Sequence, residues 1–518
     1  MIPLRFPSPE RFAALRSLLA SHGFDAAGVT ERTGAPSIYA FQALAHGREE
    51  GREIETGLDV LIRLFLDVEK VPRGTADALL GPDAVPLLRE FGLLREGEEN
   101  GHLEGSVLLY PTAGPWVVSD RMLSPDLDAS RDGFTVDAVY PAITRSAMVF
   151  LSTIPDRRCG TFLELCSGTG IAALLAADGV ADEAVAVDIT ERSTVFARFN
   201  AALNGLDNVT ALEGDLWEPV EGRTFDCIAA HPPYMAARRQ KFIYRDGGED
   251  GEQITRKILA GAGRFLAPGG ILHCTCMLTD RGGSTLPERV REMLGPDSDN
   301  LDLLILENNR VDPWSHLTSR LTRAVGEQVA ETVEQIQAFR EMKVESMVFS
   351  TVVVRCHDGN RPPITLVRVR GPGTRWPQLE WALELGARLA DPRIGVPWVA
   401  ASSPRLSPES RLHIRYRAAP GAQEPWTAEA GYLQVTHPFV KGGDATLAVA
   451  RFLGLCNGET TLRSHLERMQ EAGEVPPDLP EEQFVAMVRG LIEMGMLEME
   501  DHPVPPAPPE PPGATVME

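Results

Sequence analysis

An apolar strand ending in Glu164-Leu-Cys-Ser-Gly-Thr-Gly170, which runs straight into the apolar stretch from Ile171, constrains this chain more than any other feature. Glycine at 168 and 170 lets the backbone turn tightly and removes the Cβ that would hold a ligand away. The helix that the turn opens places its partial positive end directly behind it. Downstream, apolar strand-like runs and helical stretches alternate. Strands are expected at 161–165, 184–188, 209–213, 225–230 and 270–276, with helical stretches between them. Thr190 is placed to cap a helix running to Asn204, and Gly205 to end it. Segments 301–307 and 344–356 are expected to finish the sheet as an antiparallel pair. Alternating strands and helices predict an α/β, doubly wound parallel sheet with helices on both faces. The glycine spacing also fits a dinucleotide fingerprint, so the loop alone leaves its ligand open.

The chain has 518 residues, too many for one core. Residues 1–118 read as a helical, winged-helix-like domain, because helical runs from Pro9 are followed by a strand, a polar turn and a second strand at 103–110. Residues 119–357 hold the α/β domain. A linker near Asp358-Gly-Asn-Arg-Pro-Pro363 opens a C-terminal α+β module, 358–501, which ends in three helices of winged-helix-like order. Residues 502–518 read as a proline-rich disordered tail.

Seventy-three acidic residues against fifty basic ones give a net charge of −23. Nucleic-acid binders draw affinity from neutralising phosphates, so this balance argues against an autonomous one unless a local basic patch or a partner supplies the contacts. Residues 443–501 hold four basic and twelve acidic side chains, so the terminal helices are expected to contact protein and not DNA. The seven cysteines show no zinc spacing, and no metal site is expected. Free thiols and the lack of any long apolar run give the expectation of a cytoplasmic protein with no membrane association.

Three carboxylates stand at three successive strand ends, Glu164, Asp188 and Asp215, with Ile189 and Leu216 beside the last two. Ligands of such sheets bind at that edge. Glu164 is ill placed beside a pyrophosphate but suits the cationic methionine end of S-adenosylmethionine. Asp188 can accept both ribose hydroxyls, Asp215 the adenine amino hydrogens, and Leu216 can pack on the ring. After the fourth strand comes His231-Pro232-Pro233-Tyr234. From about 135 to 356 these features resemble a class I S-adenosylmethionine-dependent methyltransferase. The likeness is to the small-domain group that includes the release-factor glutamine methyltransferases and the ribosomal-RNA guanine or adenine methyltransferases. The resemblance covers less than half the chain. It implies a Rossmann-like seven-stranded sheet and a cofactor lined by Glu164, Gly168, Gly170, Asp188 and Asp215. Two letters depart from the pattern. Cys166 stands where the group has its first loop glycine, and His231 where it has Asn or Asp.

In the resembling enzymes the Asn or Asp side chain and the first proline carbonyl accept the hydrogens of a planar amino group, and the aromatic residue packs on the flat substrate. Neutral imidazole accepts one such hydrogen bond, and imidazole can also remove a proton. His231 with Pro232, Pro233 and Tyr234 is therefore the expected catalytic turn. Beyond it, a basic segment at 238–245 with Tyr244, Arg245 and Asp246 is expected to meet the substrate, and Gly247, Gly248 and Gly251 to allow closure. The expected reaction is N-methylation of a planar amide or amine of a protein. RNA bases and small molecules remain alternative acceptors, and a non-catalytic cofactor-binding scaffold is a further one.

Overall fold

The computed structural model describes residues 2–40, 53–97, 99–122, 135–296, 298–324, 326–391, 393–418, 420 and 425–507. Residues 41–52 of the expected N-terminal domain, residues 123–134 and the tail from 508 lie outside the described residues. Contacts divide the chain into two units. One is Met1–Gly282 with Asp312–Met347, the other Gly283–Val311 with Val348–Glu510.

The first unit is built on five strands: β1 (Cys159–Leu165), β2 (Ala181–Asp188), β3 (Val209–Glu213), β4 (Phe225–Ala230) and β5 (Leu266–Arg281). Their order is β3-β2-β1-β4-β5, and every pairing is parallel. Phe162, Leu163 and Leu165 of β1 and Ala184 to Val187 of β2 are buried, as strands covered on both faces require. Helix α1 (Ile171–Gly179) follows β1, and α2 (Glu191–Asn204) follows β2. The Thr190 hydroxyl accepts the Ser193 N–H at 3.0 Å, and Gly205, at φ 69°, ends α2, as expected from the sequence. The chain winds one way from β1 to β2 and the other way to β4. Leu165 pairs with Ala230, so the two turns after β1 and β4 leave the sheet side by side at this switch point.

The N-terminal residues share a core with this sheet domain. Phe199 of α2 meets Phe6, Phe12 and Phe91 at ring separations of 5.7, 5.4 and 6.0 Å. Helices Gly57–Phe65 and Ala84–Glu90 precede the antiparallel strands Leu94–Glu96 and His102–Gly105, and the strand expected at 103–110 divides into His102–Gly105 and Leu108–Pro111, which lie in separate sheets. The helical run from Pro9 is broken at Gly23, where φ is 64°, and Asp25 caps a second helix, Ala26–Thr33. The helix Arg73–Leu80 had no clear sequence signal. Strand Trp116–Ser119 folds back on Leu108–Pro111, and Asn200 of α2 holds it by accepting the Val118 N–H at 2.8 Å. Two further helices, α3 (Pro313–Arg323) and α4 (Glu327–Glu341), form a hairpin that the sequence pattern does not announce.

The second unit contains β6 (Leu301–Val311), most of β7 (Val344–Cys356), β8 (Thr365–Arg370), β9 (Ser410–Ala418), β10 (Trp426–Val435) and β11 (Phe439–Ala445). Their order is β7-β6-β8-β11-β10-β9. The expected strands 301–307 and 344–356 thus form as neighbours, and β8 extends the row parallel to β6. Helices Leu447–Leu455, Leu462–Glu471 and Glu481–Glu493 close the unit, three helices as expected there. The tail up to 507 is tied down here. The Pro505 carbonyl lies 2.6 Å from His437 Nε2, and Gln378 donates to the Pro506 carbonyl at 3.1 Å. No helix among the described residues is long and apolar enough to cross a membrane.

Candidate active site

A cavity of about 440 Å³ opens at the carboxyl edge of β1, β2, β3 and β4. Glu164, Cys166, Gly168, Asp188, Ile189, Asp215, Leu216, His231, Pro232, Pro233, Tyr234, Tyr244, Arg245 and Asp246 all line it. Gly170 stands apart from them. It turns the chain into α1 at φ 76°, and a Cβ there would sit 3.0 Å from the Ala197 methyl, so its place is to let α2 approach.

The three carboxylates differ in setting. Glu164 is buried and accepts the Ala173 N–H of α1 at 2.8 Å. Burial dominates, and pushes its carboxyl up to about 8. Asp188 accepts the Gly168 N–H at 2.8 Å and the Thr190 N–H at 3.1 Å, yet burial still raises its pKa above the usual carboxylate range. Asp215 is partly open and lies 3.4 Å from Lys257 Nζ. Ile189 is 53% exposed, an apolar side chain left bare at the cavity wall. Cys166 and Leu216 adopt φ of 54° and 51°, a region in which side chains other than glycine are strained. This explains why a glycine is the more usual letter at 166. Burial, with Asp188 next, holds the Cys166 thiol far above its ordinary pKa, so it stays protonated.

At the other end, His231 is held between aromatic rings. Phe150 stacks at 5.1 Å and 29°, Tyr234 at 5.8 Å and 26°. Burial lowers the His231 pKa to about 4, so the ring is neutral at neutral pH. Among the described residues no hydrogen bond engages its nitrogens. Tyr234 is hydrogen-bonded to Ser146, and Tyr140 and Tyr244 stack at 5.4 Å to form an aromatic wall.

The segment after the turn is zipped to it. Met235 N–H donates to the Arg245 carbonyl at 2.9 Å, Gly247 N–H to the Met235 carbonyl at 2.8 Å, and Ala237 N–H to the Gly248 carbonyl at 2.8 Å. A Cβ on Gly247 would lie 2.6 Å from the Pro233 carbonyl, so this glycine serves close approach and not a hinge. Asp246 faces the cavity, but its oxygens accept the Lys241 N–H at 2.7 Å, the Phe242 N–H at 3.0 Å and Arg245 Nε at 2.7 Å. It fastens its own loop. The basic residues are largely neutralised too. Lys241 pairs with Glu331 at 2.6 Å and Arg238 with Glu341 at 2.6 Å, both glutamates on α4. These partners stand about ninety to a hundred residues downstream, beyond any local pattern.

Sequence reasoning missed a buried ion pair. Arg192, in the first turn of α2, donates Nε to Asp120 Oδ2 at 2.8 Å, and Asp120 also accepts the Val139 N–H at 2.7 Å. That fixes the segment from 137 to 144, which lines the cavity through Tyr140 and its neighbours. The aromatic-apolar character of that stretch was the available signal.

Residues 140–280 match the family model described as methyltransferase small domain. The chain is similar to the release factor glutamine methyltransferase of Thermodesulfovibrio yellowstonii, 33% identical over 122 residues, which covers 21% of this chain and 44% of that protein. It is also similar to the ribosomal protein uL3 glutamine methyltransferase of Bradyrhizobium diazoefficiens, 37% identical over 124 residues, 22% of this chain and 39% of that one. The chain therefore spans less than half the length of each of these relatives. A solved structure of a ribosomal protein L11 methylase from Lactobacillus delbrueckii subsp. bulgaricus aligns over 41% of this chain and 78% of its own, at 16% identity and a TM-score of 0.25.

Proposed function

We propose, from the membership of residues 140–280 in the methyltransferase small-domain family, that this chain transfers a methyl group from S-adenosylmethionine to the nitrogen of a planar amide on a protein. The carrying observation is that one cavity holds both the three strand-end carboxylates and the His231-Pro232-Pro233-Tyr234 turn. The residues suit the cofactor in three respects. The cavity's volume is of the order expected for a small-molecule site, about 300–1,000 Å³. Ile189 offers a bare apolar side chain to a flat ring. Glu164, buried and forced toward its neutral form, is a carboxyl that a cationic ammonium would restore to its charged form.

When bound, the cofactor supplies an electrophilic methyl carbon on sulfur. The protein's part is placement. An amide nitrogen has a delocalised lone pair, so holding its hydrogens and its plane supplies much of the rate. Neutral His231 accepts one N–H, the Pro232 carbonyl accepts the other, and Tyr234 with the Tyr140–Tyr244 wall packs on the flat group. A ring with a pKa near 4 is a poor base at neutral pH, which favours hydrogen-bond acceptance over proton removal. Asp188 already holds the Gly168 and Thr190 N–H groups and the Thr190 hydroxyl, so ribose hydroxyls would share its oxygens with, or displace, the hydroxyl partner. The same reading puts the chain in the cytoplasm and gives the acidic stretch 443–501 a protein-contact role, while the expected boundaries 119–357 give way to a unit of Met1–Gly282 with Asp312–Met347.

The test is transfer of labelled methyl from S-adenosylmethionine into a fractionated lysate treated with RNase or with protease. Label that disappears with protease and survives RNase supports the reading. Label lost on RNase treatment overturns the protein acceptor.

A further inference from the structure

A second cavity, of about 480 Å³, adjoins the first, and both are lined by Met235, Gln240, Arg245, Asp246 and Arg320. Its walls are the loop after the catalytic turn and helix α4. Five cationic and four acidic side chains line it, and their pairing is uneven. Arg238 is taken by Glu249 and Glu341, Lys241 by Glu331, and Arg245 by Asp246. Arg320 has no carboxylate partner among the described residues, and its hydrogen bond is to the neutral Gln335 amide at 3.3 Å. Arg239, exposed at the rim, has none either. Against these two cations stands one lining acid without an ion pair among the described residues, Glu334. A half-buried guanidinium kept without a counter-charge, at the junction of the reaction cavity and its neighbour, is set to receive an anion from the ligand.

We infer that the second cavity receives the polypeptide flank of the methyl acceptor, and that Arg320, with Arg239 at the rim, binds an acidic side chain on that flank. The inference rests on the protein-amide reading above. A single carboxylate matches this cavity better than a nucleic-acid strand. A strand would bring a phosphate with every nucleotide past Glu249, Glu334 and Glu341, on a chain whose net charge is −23.

The probes are N-acetylated peptides with a central glutamine and an Asp, or an Asn as control, stepped through the positions on either side. Binding to the full chain saturated with S-adenosylhomocysteine is measured by calorimetry, and methyl transfer is measured separately. At one offset the Asp peptide should bind about tenfold more tightly than its Asn twin. Arg320→Gln should erase that preference and leave the Asn peptide within about twofold, and Arg320→Lys should restore part of it. No Asp preference at any offset overturns the inference, as does equal loss of both peptides in Arg320→Gln. Tighter binding of a single-stranded RNA oligonucleotide than of any acidic peptide overturns it as well. An Asp preference in binding without methyl transfer to glutamine sustains the cavity assignment and overturns the amide reading instead.

Discussion

In the proposed reaction His231 is the residue on which the chemistry turns, and its surroundings decide between its two capacities. Stacked between Phe150 and Tyr234 and depressed to about 4, it is neutral across the working range. His231→Asn should therefore hold the rate within about tenfold, whereas His231→Ala, which removes the acceptor, should cost about ten- to a hundredfold in kcat/KM. The acid limb of the rate profile should lie near 4 in the parent and be absent in the Asn variant. An Asn variant as slow as the Ala one would show proton removal instead, and a limb near 6.5, the ordinary imidazole value, would show that burial does not depress the ring. Glu164 carries a pH signature of the opposite sign. Burial raises its pKa to about 8, against 4.5 for the ordinary side chain, so the folded protein keeps a proton that the unfolded chain gives up. Its contribution to stability is full below about 4.5 and falls as pH rises toward 8. Glu164→Gln should flatten that fall, read as urea midpoints at several pH values. Cofactor affinity of the parent should rise with pH over the same window.

At the scale of elements, the proposed catalytic turn depends on backbone meeting backbone. Gly247→Ala places a methyl 2.6 Å from the Pro233 carbonyl, and neither side of that contact is a flexible side chain. The turn must shift, and kcat should fall about a hundredfold while cofactor binding, followed by calorimetry, stays unchanged. Loss of cofactor binding in parallel would mean that the two ends of the cavity are not independent. The same elements show what the sequence could and could not reveal. Strands β1 to β4, the Thr190 cap and the Gly205 stop were legible because each is encoded by a local pattern: an apolar run, a hydroxyl, a glycine at positive φ. So were the acids at the strand ends and the turn after β4. The hairpin α3–α4 was not, since its buried face is carried by scattered residues such as Leu317, Ala338 and Phe339 amid charges. Nor could any window reveal that Glu331 and Glu341 neutralise Lys241 and Arg238, or that Asp120 pairs with Arg192 seventy-two residues away. The basic segment therefore read as free to grip substrate when most of it is occupied.

Within the first unit of the molecule, the N-terminal residues complete the reaction domain and are not merely appended to it. Phe199 lies on the helix that follows Asp188, and three N-terminal phenylalanines cover it. Phe199→Ala should destabilise the protein by about 3–5 kcal/mol, measured by urea unfolding. Cofactor affinity should fall with it, because Asn200 alongside ties Thr169 of the glycine loop at 3.0 Å. A stability loss under about 1 kcal/mol would mean that the N-terminal cover is dispensable. The backbone zip between 235–237 and 245–248 has a further consequence, one for descent and engineering. These main-chain bonds hold the loop whatever its side chains are, and the Glu331 and Glu341 pairs from α4 add to them. On the proposed reading, substitutions that line the second cavity should change which partner is accepted while the backbone that sets the reaction geometry stays in place.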